Sequence, residues 1–290
     1  MRGYRYMKKY RIDKDKNIGN VIFVVEGGRP ATGGTELRLL KKIFADILDY
    51  EVQELRRGSD EFIGYGNNPQ FRVFALNLPK NQLTQLTEES LDELFCRLRE
   101  EFKIKPEDCP IFFLYDRDVL SYKPNELRRK YVRKYTDPYG NDNGDQGQLL
   151  LSYPAIESYL LSCLKDNTFE QTCKMGTEAK ALLTNTICPD DCSDKENLHM
   201  QTTDLVFSEE SVEAEKQLIH SVTEMDNGLE AMNISAYDLD VLAPTLLDVY
   251  DYQQQKYVTE NTFSLFSFVG MALLELGVIV ECDEETVENI

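Results

Sequence analysis

The chain has 290 residues, of which 42% are hydrophobic and 29% charged, with a formal net charge of −19. This composition excludes a disordered tail and a collagen-like fibre, and the length allows one large domain or two modest ones. The longest apolar runs, VIFVV and IFFLY, are far shorter than the roughly 20 residues of a membrane-spanning helix. No apolar stretch follows the basic amino terminus, so we expect no secretory signal.

The charge is distributed unevenly along the chain. Residues 1–134 contain 26 Lys and Arg against 21 Asp and Glu, whereas residues 135–290 contain 6 against 30. The first part is therefore mildly basic and compatible with a nucleic-acid partner, which the overall charge would argue against. The acidic part is suited to docking on a basic partner, or to confining nucleic acid to the basic side by repulsion.

Seven cysteines, an odd number, predict reduced thiols and a cytoplasmic location. Cys188 and Cys192 are four residues apart with His199 downstream, but a zinc site would need a second compact pair of ligands. We therefore expect incidental thiols there. Neither His199 nor His220 stands in a Ser/His/Asp order, so we expect no catalytic triad.

Strands and helices alternate in the first half of the chain. Continuous apolar runs at 20–25 and 110–115 predict strands buried on both faces, as in a parallel sheet. Further predicted strands are at 51–55, 71–78 and 148–154. Apolar residues at helical spacing predict helices at 36–50, 87–102, 123–134 and 155–164, with Thr35 and Thr87 as N-caps.

Helical patterns dominate after about residue 165. The best candidates are at 209–225, 236–250 and 262–276, and the turn-rich residues 137–147 indicate a boundary or a loop. The prediction is an α/β fold with a mostly parallel sheet flanked by helices. We expect a catalytic domain at 1–165 and an acidic, mainly helical domain at 166–290.

A glycine-rich loop follows the strand at 20–25. Residues 28–35 nearly match the P-loop pattern and lie between a strand and a helix, as that pattern requires. Gly34, however, occupies the place of the lysine that reaches the β- and γ-phosphates. Nucleotide hydrolysis is therefore disfavoured, while a backbone anion site without hydrolysis stays open.

Acidic residues follow two of the apolar strands. Glu26 comes directly after one, and Asp116 and Asp118 come after the other. Ligands bind at the carboxyl ends of parallel strands, and clustered carboxylates repel one another unless a cation is present. Mg²⁺ or Mn²⁺ prefers such oxygen ligands, so the pattern predicts metal-dependent phosphodiester cleavage. Taken separately, each motif is more often an ordinary acidic loop.

The ordered combination of VVEGG and YDRD resembles the TOPRIM domain of topoisomerases, primases and OLD-family nucleases. Glu36 resembles the second acidic residue of OLD-type TOPRIM nucleases. Glu157, within LLLSYPAIESYLL, resembles the acidic residue of the DUF4435 and RloB-like groups. The motif order, the size and the helical second part resemble the effector nucleases of the PARIS anti-phage defence system. The motifs cover about residues 18–165.

The resemblance implies a TOPRIM, Rossmann-like fold and a magnesium-dependent endonuclease. Its implied catalytic residues are Glu26, Glu36, Asp116 and Asp118, and its implied metal ligands are Glu26, Asp116, Asp118 and Glu157. It also implies an ABC-type, AriA-like ATPase partner that releases the effector when a phage protein is sensed, and host tRNA as the target of a homodimer. The alternatives are a DNA nuclease of OLD type and a catalytically inert TOPRIM module that regulates a partner ATPase.

A basic stretch lies shortly after the Asp pair. Its cations could neutralise phosphates, and the interleaved Tyr122, Tyr131 and Tyr135 could stack on unpaired bases. A solvated helix face is an equally weighted alternative. The predicted nucleic-acid-binding residues are Lys123, Arg128, Arg129, Lys130, Arg133 and Lys134.

Overall fold

A computed structural model describes residues 9–26, 34–55, 61–78, 83, 86–117, 123–141, 145–188, 206–234 and 242–282. The P-loop-like segment 28–33, Asp118, Tyr122, Cys192 and His199 lie outside the described residues, so the predictions about them stay predictions.

Twelve strands are described. They are β1 (Lys9–Ile12), β2 (Asn20–Val25), β3 (Glu51–Glu54), β4 (Phe62–Tyr65), β5 (Arg72–Asn77), β6 (Ile111–Asp116), β7 (Thr136–Asp137), β8 (Gly147–Tyr153), β9 (Thr172–Cys173), β10 (Phe263–Ser264), β11 (Phe266–Ser267) and β12 (Ile279–Cys282). The described helices are α1 (Thr35–Lys41), α2 (Glu88–Phe102), α3 (Pro124–Leu127), α4 (Glu157–Ser162), α5 (Gly176–Ile187), α6 (Ser211–Ala231), α7 (Leu242–Glu260) and α8 (Val269–Glu275). Wider π-helical turns extend α1 over Lys42–Ile47 and α3 over Arg128–Val132.

Eight strands form one mixed sheet in the order β11-β8-β6-β2-β5-β4-β3, with β7 also paired to β8. The four central strands, β8, β6, β2 and β5, run parallel. Antiparallel strands complete both sides of the sheet. The chain is thus an α/β protein with a mixed sheet that is parallel at its centre and flanked by helices.

The central strands are buried because their apolar runs meet other elements on both faces of the sheet. The last five residues of β2, the first five of β6 and all of β8 are buried. On one face Phe23 stacks on Phe112 with ring centroids 5.2 Å apart, and Phe44, from the extension of α1, packs on Phe23 at 5.7 Å. The strands predicted from these runs are confirmed.

One predicted N-cap is confirmed, whereas a second predicted N-cap and the start of one predicted helix are wrong. Thr87 forms the predicted N-cap of α2, in a capping box with Ser90. Thr35 is the first residue of α1 and Gly34 is its N-cap, so the predicted Thr35 cap is wrong. The helix expected at 262–276 begins only at Val269, because the preceding residues form β10 and β11. There β11 pairs with the outer edge of β8 and supplies partners to its backbone groups.

Strands from the two predicted domains pair with each other. Strand β1 pairs with β12, and β8 pairs with β11. The division at residue 165 stays a prediction about domains. Within the described residues, no helix combines the length and the apolar character needed to cross a membrane.

The described cysteines fall into two groups. Cys188, which follows α5, is disulfide-bonded, so the prediction of reduced thiols is wrong for this residue. An odd cysteine count requires only that at least one thiol has no partner within the chain, so it does not exclude a particular disulfide. The free thiols are Cys96, Cys109, Cys163, Cys173 and Cys282.

Candidate active site

Four of the predicted acidic residues meet at the carboxyl edge of the parallel strands. Glu26 follows β2, and Asp116 ends its parallel neighbour β6. Glu36 lies in the first turn of α1, and Glu157 opens α4 shortly after β8. We call Glu26, Glu36, Asp116 and Glu157 the sheet-edge site. Parallel pairing explains this convergence, since it brings the carboxyl ends of these strands to one edge.

Two hydrogen bonds tie the sheet-edge site to the backbone. The Asp116 N–H donates to Glu26 Oε2 at 3.3 Å, which links the ends of β2 and β6. The Ile156 N–H donates to Asp116 Oδ1 at 2.8 Å, which links Asp116 to the residue before α4. Asp116 therefore contacts both neighbouring elements and lies at the middle of the site.

Burial raises the pKa values of Glu36, Asp116 and Glu157, and neighbouring acids add to the shifts of Glu36 and Asp116. Burial raises the pKa of Glu36 to about 8, with a backbone hydrogen bond opposing this and with Glu157 and Glu26 adding to it. Burial also raises the pKa of Asp116 well above its ordinary value, and Glu36, Glu157 and Glu26 raise it further. Burial raises the pKa of Glu157, while Lys180 acts in the opposite direction.

Such a cluster must hold protons or bind a cation to relieve its charge. Glu36 and Glu157 are only 7% and 8% exposed, so water screens their charges weakly. The donor set is composed of carboxylate oxygens, which are the ligands preferred by Mg²⁺ and Mn²⁺. These residues therefore fit a hard divalent ion, which would displace the protons that the raised pKa values retain.

Lys180 is a cation near this site that the sequence reasoning missed. It lies on α5, and its charge lowers the pKa values of both Glu36 and Glu157. Lys180 could have been singled out from the sequence, because it is one of only six Lys and Arg in residues 135–290.

The predicted nucleic-acid surface is reduced by pairing within the chain. Arg128 donates to both carboxylate oxygens of Asp251, at 2.7 and 2.6 Å. Lys130 pairs with Glu126. Lys134 pairs with Asp145 at 3.2 Å and with Glu88 at 3.5 Å. The exposed members without such an ion pair among the described residues are Lys123, Arg129 and Arg133.

The predicted base-stacking tyrosines face inward. Tyr131 and Tyr135 are buried, and the ring of Tyr135 packs edge-on against Phe113 with centroids 5.0 Å apart. The stacking prediction is wrong for these two residues, because both rings lie in the core, whereas Arg129, Lys130 and Arg133 are exposed.

A second cluster of ionisable groups lies away from the sheet edge. The ligand atoms of Asp166, His220 and Glu224 all lie within 4.8 Å of one another, and we call these residues the His220 cluster. No trio from the sheet-edge site is this compact among the described residues, so an ion bound there would draw the carboxylates together. Part of this cluster could have been predicted from the sequence, because the i, i+4 spacing of His220 and Glu224 places both on one helix face.

Hydrogen bonds hold the His220 imidazole in place. Burial alone would lower the pKa of His220, but hydrogen bonds to Asp166 and to the Ser162 carbonyl outweigh it and leave the pKa raised.

No protein-family model, curated protein or solved structure matches the chain.

Proposed function

We propose that this protein is a metal-dependent phosphodiester hydrolase, an endonuclease of the TOPRIM type. The observation that supports this most directly is the convergence of four acidic residues at the carboxyl edge of the parallel strands, namely Glu26, Glu36, Asp116 and Glu157. Burial raises the pKa values of Glu36, Asp116 and Glu157 there. Asp118, next but one to Asp116, is proposed as a further ligand. Such a concentration of buried carboxylates destabilises the fold, which favours a role in function over one in structure.

The residues have distinct proposed roles. Glu26 acts as a metal ligand or as the general base, and Asp116 is a ligand whose orientation is fixed by the Ile156 N–H. Glu36 and Glu157 complete a second metal position. The Mg²⁺ or Mn²⁺ ions would activate the attacking water and stabilise the leaving oxygen. Lys180 offsets part of the negative charge of the site.

The proposed substrate is nucleic acid, with host tRNA as the specific expectation. Lys123, Arg129 and Arg133 are exposed and form no ion pair with another described residue, which suits them to a phosphate backbone. The strongly acidic second part suits a protein partner. The motif order leads us to propose an anti-phage effector in the cytoplasm, held by an ABC-type ATPase and active as a homodimer after release. A DNA nuclease of OLD type and an inert regulatory module are the competing functions.

A cleavage assay tests this proposal. The purified full chain is incubated with total tRNA, a structureless RNA and plasmid DNA, each with Mg²⁺, Mn²⁺ or a chelator. The variant E26Q is compared with E93Q, because Glu93 is an exposed glutamate on α2 and does not contribute to the pKa values of Glu36, Asp116 or Glu157. We expect divalent-ion-dependent cleavage of tRNA by the parent and by E93Q, and a loss of roughly 100-fold or more in E26Q.

Three outcomes would count against the proposal. Equal rates for E26Q and E93Q would remove Glu26 from the chemistry. Cleavage of DNA alone would favour the OLD-type alternative. A folded protein that binds tRNA but cuts none of the three substrates with either ion would favour the inert module.

A further inference from the structure

The His220 cluster joins two separate parts of the chain. His220 and Glu224 lie one turn apart on α6, and Asp166 lies in the connection between α4 and β9. His220 Nε2 is 2.9 Å from Asp166 Oδ1, and the ligand atoms of all three residues lie within 4.8 Å of one another. Three potential ligands from two segments therefore face one point.

The imidazole of His220 is oriented from behind. Its Nδ1 lies 2.6 Å from the Ser162 carbonyl oxygen, which can only accept a hydrogen bond, so Nδ1 carries a hydrogen. Nε2 then faces the Asp166 carboxylate, and these two atoms repel each other unless a positive charge lies between them. Metal-bound histidines show this same arrangement, in which a backbone carbonyl fixes the ring and leaves the other nitrogen for the ion.

Glu224 places a negative charge in the interior beside His220. It is only 4% exposed, and its oxygens accept hydrogen bonds from the Thr168 N–H and hydroxyl and from Asn227 Nδ2, at 2.8, 3.0 and 2.9 Å. All of these donors are neutral, and no Lys or Arg of the described part of the chain pairs with Glu224. With an imidazolium the cluster has a net charge of −1, whereas a divalent ion with a neutral imidazole would make it zero. Neutral clusters are less costly to bury.

We propose that His220 Nε2, Asp166 Oδ1 and a carboxylate oxygen of Glu224 bind one divalent transition-metal ion. Zinc is the expected occupant, because one imidazole and two carboxylates provide three protein ligands of the kinds it accepts and leave a fourth position for water. The side chain of Asp166 is 84% exposed, so this fourth position is open to solvent. The ion would fasten α6 to the segment 162–168. This inference is independent of the proposed nuclease activity.

Zinc binding to the metal-stripped full chain tests this site. The titration is followed by calorimetry with Mg²⁺ in excess, so that carboxylate-only sites hold magnesium. The variants are H220N and D166N, and the matched control is H199N, which removes the only other histidine of the chain. We expect stoichiometric zinc binding by the parent and by H199N, weakened at least about tenfold in H220N and D166N. Zinc should also raise the unfolding temperature of the parent but not of H220N.

Two results would overturn the site. One is zinc affinity in H220N and D166N equal to that in H199N, which would place the ion elsewhere. The other is an absence of zinc binding by the folded parent. Because Asp166 is exposed, D166N should fold as the parent does, and it therefore keeps the test valid if H220N proves unstable without metal.

Discussion

The sheet-edge site and the His220 cluster handle buried negative charge in opposite ways. In the sheet-edge site, burial raises the pKa values of Glu36, Asp116 and Glu157, and neighbouring acids raise those of Glu36 and Asp116 further. In the His220 cluster, Glu224 is surrounded by neutral donors and lies beside an imidazole. The effect of a buried acid on stability therefore depends on whether its neighbours are other acids or hydrogen-bond donors. Ionisation of Glu36, Asp116 and Glu157 lowers stability, whereas the hydrogen bonds accepted by Glu224 support local structure.

The largest expected effect is the pH dependence of stability conferred by Glu36. Its pKa is about 8 in the folded protein, against an ordinary value of 4.5. Stability from this group is fully present below pH 4.5 and is lost as the pH rises through 8. The variant E36Q should therefore match the parent near pH 4 and exceed its unfolding free energy by about 4–5 kcal/mol at pH 9. Urea denaturation across this range measures the effect, with E93Q as control. Parallel pH profiles for the parent and E36Q would contradict the account.

The opposite sign is expected for Glu224. Replacing it by Gln leaves one of its accepting oxygens as an amide that donates, so a hydrogen bond from Thr168 or Asn227 is lost. We expect E224Q to lower the unfolding free energy by about 1–2 kcal/mol at pH 7. The same denaturation experiment measures it without added metal. If E224Q were as stable as the parent, the distinction between the two sites would collapse.

The smallest expected effect concerns RNA binding. Arg129 and Arg133 are exposed and unpaired among the described residues, whereas Arg128 is held by Asp251. The double variant R129E/R133E should weaken tRNA binding about tenfold and flatten its dependence on salt, since each lost phosphate contact reduces the slope by about 0.7 to 0.9. R128E is the matched comparison and should have a smaller effect per charge. An unchanged salt slope in the double variant would exclude this surface.

Local patterns predicted the elements that position the sheet-edge site. Apolar runs located β2, β6 and β8, and parallel pairing then placed Glu26 and Asp116 together. The pattern around residues 263–267 failed, because pairing with β8 decides that conformation and is invisible locally. Strand β4 was missed for the same reason, since its register is set by β3 and β5.

Contacts between residues far apart in the chain could not be predicted. Asp166 and His220 are 54 residues apart, and Arg128 and Asp251 are 123 apart. No single sequence encodes such pairs as a readable spacing. The influence of Lys180 on Glu36 likewise arises from the packing of α5 near the sheet edge, which follows from the fold.

We expect the sheet-edge carboxylates to bind a divalent ion. The most direct test is Mn²⁺ binding at pH 7, followed by electron paramagnetic resonance and by proton release, in an H220N background that silences the His220 cluster. The account predicts Mn²⁺ binding with release of protons, because Glu36 with a pKa of about 8 is mostly protonated beforehand. Adding E26Q or D116N should weaken this binding at least about tenfold, while adding E93Q should leave it unchanged. Binding that is absent, or equally tight with E26Q and D116N, would contradict the account.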